Sequence, residues 1–406
     1  MDNKNKKAKL KRKIRFNIFL LLLSAILCIV STYAWFVGLS EVKVSTFDVS
    51  IKVPDSLSIS LDGIKFNSTL LINSNNYNDI NYSKTNTWGT LSPVSTIGEF
   101  YTTGSLIFYK DKNIDSELIR TKTYGGYKVF SERINNNLLK EGETNVYSES
   151  DYYVTFDIFV RNSSDNVYTE SLNILDEDII YLTRDSSVTV TSIGSLNTGL
   201  ENSVRVAFLQ LGRVDGSIHT VSSIMNEFDC NGNKNVIIDG NTKRITNICR
   251  TTIWEPNDIN HNEGAISWYN EHCKIRIGDD TRLKESYSDL SCNPIYNNNY
   301  YTTYAINSEI EMDPGYGVDV YDGYNGYSNT IGTSSHQHLS PVTTFRDSEN
   351  LNIDDLPFIS LQPNSITKIR VYIWLEGQDI DNYDFASTGR AVNVNFNLSK
   401  ESSINS

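Results

Sequence analysis

The chain has 406 residues and a formal charge of −13, with 39% hydrophobic residues and 11% aromatic ones. Such acidity excludes a nucleic-acid partner, because phosphate binding needs clustered Lys and Arg. The charge is also unevenly placed: the first 35 residues hold eight bases against one acid, a balance of +7 that leaves −20 on residues 36–406.

Residues 1–15 form a basic leader with Lys4, Lys6, Lys7, Lys9, Lys11, Arg12, Lys13 and Arg15 against Asp2 alone. Residues 16–40 then carry no charge over 25 positions. About 20 apolar residues in a helix span a bilayer core, and flanking bases hold the leading end in the cytoplasm. The sequence therefore predicts a hydrophobic signal or transmembrane helix over 16–40, the membrane as a partner, and an extracytoplasmic remainder. Two fates are open. Thr32 and Ala34 are small enough for positions −3 and −1 of a signal cleavage site, which would start the mature chain at Trp35. Uncut, the same stretch is an anchor with Tyr33, Trp35 and Phe36 at the outer interface, where aromatic rings settle.

Beyond this segment, Val42 to Val53 alternates as a strand does. The apolar set changes parity between Val44 and Phe47, the mark of a bulge or of a junction between two functions. The run Thr32-Tyr33-Ala34-Trp35-Phe36 followed by this strand resembles the start of TasA/camelysin-type Gram-positive surface proteins, over residues 15–53. The stretch from Ile369 to Asp379 is similar to a late strand and turn of Firmicutes proteins bearing that signal. The resemblance implies a SipW-type signal peptidase as partner. It also implies self-assembly into fibres, in which Phe36, Val42, Val44, Phe47, Val49 and Ile51 of one subunit complete the sheet of the next. The alternative from the residues alone is that 42–53 is the first strand of its own domain. Trp35 departs from the small residue usual in that family, and the extra sequence between about 212 and 345 makes the chain longer than typical members.

Strand patterns continue along the chain. Val154, Phe156, Ile158 and Val160 alternate with polar partners, Val204 to Leu211 is nearly all apolar, and 369–375 and 392–398 alternate again. Weaker strands are expected near 57–66, 104–109, 168–175 and 187–193, and short helices near 131–140 and 263–272. Many strands without a βαβ rhythm predict a mainly β fold, an antiparallel β-sandwich of jelly-roll type. About 370 residues exceed what one core usually serves. The expected division is a first sandwich part at 41–211, an irregular insertion rich in Cys, Tyr and Asn at 212–350, closing strands at 351–400, and a disordered tail at 401–406.

Four cysteines fall in that insertion: Cys230, Cys249, Cys273 and Cys292. Their even number, and the separation of 19 within each successive pair, fits disulfides in an oxidising compartment. Closing a loop of about 20 residues stabilises by roughly 3 kcal/mol. Free thiols are the alternative; zinc would need Cys two to four residues apart.

No catalytic motif is found. The five histidines, His219, His261, His272, His336 and His338, form no His-Glu-x-x-His, and His336-Gln337-His338 sits in a Ser/Thr-rich loop. No cofactor is expected. Two stretches have part of the oxygen spacing of a calcium site, Asp229, Asn231 and Asn233, which lack a closing Gly and Glu, and the turn bearing Glu376, Asp379, Asp381 and Asp384; a plain polar turn is the default reading of each. The sequence thus predicts a non-enzymatic structural protein of the envelope or biofilm matrix. The alternative is a membrane-anchored adhesion module using the Tyr-rich insertion, with a metal-dependent hydrolase third.

Overall fold

The computed structural model describes residues 12–21, 24, 46–54, 56–73, 75, 88–101, 104–111, 128–129, 131–134, 152–163, 178–191, 197–215, 234–238, 241–256, 261–267, 304–309, 318–319, 339–342, 344–345, 359–382 and 391–401. The fold is mainly β, built from two large sheets. The six-stranded sheet runs β18 (Ile359–Leu361), β9 (Asp178–Leu182), β20 (Ala391–Glu401), β1 (Thr46–Lys52), β3 (Thr69–Ile72), with β10 (Ser187–Val190) also on β20. The eight-stranded sheet runs β12 (Lys234–Ile238), β13 (Asn241–Trp254), β11 (Val204–Asp215), β19 (Ser365–Glu376), β8 (Val154–Asn162), β2 (Leu57–Ser60). On it, β4 (Pro93–Val94) joins β19 and β17 (Thr344–Phe345) joins β13. Two-stranded sheets pair β5 (Tyr109–Asp111) with β7 (Ser131–Arg133), β6 (Lys128–Val129) with β15 (Val318–Asp319), and β14 (Tyr304–Ile306) with β16 (Leu339–Pro341).

Alternation along the long strands explains the layering. Val154, Phe156, Ile158 and Val160 of β8, Val204, Val206 and Phe208 of β11, and Ile369, Val371, Ile373 and Leu375 of β19 all face one core. That core also takes Val49 and Ile51 of β1 and Val392, Val394, Phe396 and Leu398 of β20. Each such side chain contributes roughly 1.5–3 kcal/mol when fully buried. Between the layers, Phe396 meets Phe208 and Trp254 edge-on, with ring centroids 5.2 and 5.7 Å away. At one end Asn162 of β8 donates to Asp178 Oδ2 of β9 at 2.8 Å, and Lys400 of β20 donates to Asn162 Oδ1 at 2.8 Å. The two sheets are tied there by polar contacts as well as by apolar ones.

The eight-stranded sheet is covered on its other face too. Val94, Leu106, Phe108 and Ile134 pack on Tyr153, Ala207, Ile253, Tyr372 and Trp374 as a second core. Phe108 stacks on Tyr153 at 4.4 Å and meets Trp374 edge-on at 5.5 Å. This cover is why β19 is buried along its entire length, on both faces. It also takes in Ser131–Arg133, expected as the start of a helix: those residues pair with β5 instead, and Ile134 enters the second core. Packing overrides local propensity there. The other expected helix begins as expected, with residues 263–267 helical.

The sheets are antiparallel as expected apart from three pairings, β1 with β20, β4 with β19 and β17 with β13, which are parallel. A parallel neighbour needs a long crossover. For β1 and β20 nearly the whole domain supplies it. The expected boundary between 211 and 212 falls inside β11, and β13 of the expected insertion is a member of the large sheet. Residues 12–21 are helical, and no helix among the described residues is long and apolar enough to cross a membrane. Residues 22, 23 and 25–40 of the hydrophobic segment lie outside the described residues.

Candidate functional site

The densest chemistry lies where β19 ends. Glu376, Asp379 and Asp381 leave the strand on successive turns, closed by Asp379 N–H to the Glu376 carbonyl at 3.2 Å and Asn382 N–H to the Asp379 carbonyl at 3.0 Å. All three carboxyls are buried, at 2, 6 and 0% exposure, among only a few neighbours able to balance them. At the centre lies Arg205 of β11, also 2% exposed, which hydrogen-bonds Glu255 and Asp379 through Nη2. Its Nη1 donates to the carbonyls of Asn202 at 2.6 Å and Val204 at 3.1 Å.

His261 closes the cluster, its Nδ1 lying 2.8 Å from Asp381 Oδ2. The local chain explains its placement. Asn262 caps the helical turn at 263–267, its Oδ1 accepting from Gly264 N–H at 2.7 Å. The Asn262 N–H donates to Asp381 Oδ1 at 2.8 Å. Gly199, at φ +85°, passes so close that a β-carbon there would sit 2.8 Å from Asp381 Oδ1. Only glycine fits both that backbone and that gap.

Four carboxylates (Glu255, Glu376, Asp379, Asp381) face two bases (Arg205, His261), so the cluster tends to hold protons. Burial pushes the Glu376 carboxyl up to about 7, against hydrogen bonds from Ser95 and Trp374 and the Arg205 charge. Burial likewise lifts Asp381 to about 6, opposed by the His261 hydrogen bond and assisted by Asp379. For His261, burial works downward, but Asp381 and Asp379 outweigh it and raise the imidazole. A carboxyl raised on folding favours the native state at low pH; that advantage fades as pH rises from the ordinary range through the folded value. Glu376→Gln should therefore flatten the decline in stability between about pH 4.5 and pH 7. The relative gain is roughly 3 kcal/mol at pH 8 compared with pH 4. Urea unfolding of the full chain across that range checks it, and parallel pH profiles for the two proteins would refute it.

His261, Asp379 and Asp381 bring ligand-type atoms within 4.8 Å of one another. Each of the four carboxylate oxygens of the two aspartates already has a hydrogen-bonding neighbour: Arg205 and the Asp381 N–H for Asp379, His261 and the Asn262 N–H for Asp381. Calcium takes six to eight oxygens. The donor set fits an ionic latch joining four segments better than a calcium cage.

A second buried ionic group lies on the covered face of the large sheet. Asp157 of β8 accepts from Arg370 Nε at 2.8 Å and Nη2 at 3.2 Å, and Lys368 Nζ lies 2.9 Å away. Arg370 Nη1 also donates to the Gly104 carbonyl at 2.8 Å. Burial pushes the Asp157 carboxyl up, but Arg370 and then Lys368 overcome it and hold it well below the usual carboxylate range.

Of the residues singled out in the sequence, Glu376, Asp379 and Asp381 come together, while Asp384 lies outside the described residues. Val49 and Ile51 are buried on β1, between β20 and β3 of their own sheet; Phe47 is on the same strand. Thr32, Ala34, Trp35, Phe36, Val42 and Val44 lie outside the described residues, as do Cys230, Cys273, Cys292, His336, His338, Asp229, Asn231 and Asn233. Cys249, at φ +42°, sits in a bulge where Ile248 and Cys249 of β13 oppose Leu211 of β11. Arg205, Glu255 and His261 were missed: nothing near each in sequence marks it, since their partners lie 50 to 174 residues away. No family profile, characterised protein or solved structure matches the chain.

Proposed function

We propose that this chain is a non-enzymatic structural protein of a bacterial cell surface or biofilm matrix, exported by its N-terminal segment and assembling with further copies of itself. The observation that carries the reading is the charge step. Eight bases in the first 15 residues precede 25 uncharged ones, and an acidic β domain follows. Two sheets facing one core read as a sandwich, an architecture suited to a durable exterior module. The buried ion pairs then serve as latches that fix the strand ends, and disulfide pairing of Cys230 with Cys249 and Cys273 with Cys292 would secure the Tyr-rich stretch.

Assembly would use the segment ahead of β1. A strand freed from a membrane helix has open backbone N–H and C=O groups, and among the described residues the six-stranded sheet ends at β18, a position from which a further strand can pair. Deleting residues 36–45, which keeps β1 entire, should abolish fibres seen by electron microscopy while circular dichroism stays β-type. Fibres of unchanged number and length would refute strand donation.

A further inference from the structure

The first and last strands of the domain lie side by side and run the same way. β1 pairs with β20 in parallel over seven rungs, from Thr46 opposite Ala391 to Lys52 opposite Asn397. The chain therefore enters this ladder at one end and leaves it, beyond Glu401, at the other. Tension between the two chain ends pulls the strands in opposite senses along their own axes. All seven rungs are then strained together. Were the pair antiparallel, the same tension would act at one end and open the rungs one at a time.

Neither strand is an edge. β1 is held on its other side by β3, from Val49 opposite Ile72 to Lys52 opposite Thr69. β20 is held on its other side by β10 and then β9. Sliding also has to drag apolar side chains through a packed core. Val49, Ile51, Val392 and Val394 are fully buried, and Phe396 is wedged against Phe208 and Trp254. The interior is close-packed, so such a slide finds no room without breaking contacts across both sheets.

We propose that the β1–β20 pair is a shear clamp, and that the domain's further function is to bear tension between its N-terminal attachment and whatever grips its C-terminal side. The resistance of the clamp follows from register alone, and its use in bearing tension from an N-terminal attachment rests on the surface-protein reading.

Single-molecule pulling on the full chain in detergent tests it. One preparation carries handles at the two termini, and a second carries them at the N-terminus and at Asn393, which lies opposite Asp48 near the start of the ladder. The second geometry peels β1 from its end. Forced unfolding reports the rate over the unfolding barrier, so at equal loading rate the terminal geometry should rupture at roughly twofold higher force or more. Equal forces, or a lower force in the terminal geometry, overturn the proposal. So does a terminal-geometry rupture whose length gain shows that internal segments open first while β1 and β20 stay paired.

Discussion

Arg205→Leu destabilises the full chain by about 3–5 kcal/mol, the usual cost of stripping one partner from a buried ion pair. The guanidinium touches both Glu255 and Asp379, and it also satisfies the carbonyls of Asn202 and Val204. Leucine removes that base from both buried carboxylates at once. The triple variant Arg205→Leu, Glu255→Gln, Asp379→Asn removes the stranded charges and should recover much of the loss. Urea midpoints at pH 5 and pH 8 measure both. An Arg205→Leu protein within about 0.5 kcal/mol of the parent would mean that the latch holds nothing.

Asp157→Leu produces a loss of similar size, about 3–5 kcal/mol, for the opposite reason. It removes the carboxylate that pairs with two cations, Arg370 and Lys368, both nearly fully buried on β19. Arg370→Leu should cost less, because Lys368 still stands 2.9 Å from the carboxylate. That asymmetry separates a charge effect from lost packing, since arginine is the larger side chain. Equal losses, or a greater loss for Arg370→Leu, would mean that packing outweighs charge at this cluster. The pH signs also differ between the two clusters. Asp157 is held low, so its contribution is present above the ordinary carboxylate range and is lost as acid protonates it. Glu376 acts the other way, weakening the fold as pH rises through about 7. Stability should therefore peak on the mildly acidic side.

The long strands were legible because one face of each is apolar: Val154, Phe156, Ile158 and Val160 declare β8, and Val392, Val394, Phe396 and Leu398 declare β20. What alternation cannot show is whether the other face meets water. Arg370, Tyr372 and Trp374 alternate with the apolar set on β19, yet they too are buried, Tyr372 and Trp374 under Val94, Leu106, Phe108 and Ile134. The acidic turn bearing Glu376, Asp379, Asp381 and Asp384 was read as a polar turn with calcium as the alternative. Asp379 instead bonds the guanidinium of Arg205, more than 170 residues earlier in the chain, and Asp381 meets His261. The parallel pairing of β1 with β20 was equally hidden, because pairing sense is set by connection and packing and leaves no trace in period or composition. Expectations placed on residues 22–45 and on most of 267–358 concern stretches outside the described residues.

Export of the acidic domain is the claim on which the surface reading rests, and the N-terminus of the native protein tests it most directly. Mass mapping after cell fractionation should find the protein in the surface or membrane fraction, open to added protease in intact cells. Its first residue should be Trp35 or Phe36 if the leader is cut, or Met1 or Asp2 if the segment stays as an anchor. Recovery of the uncut chain from the cytosol, protease-protected and with its cysteines reduced, would contradict the account.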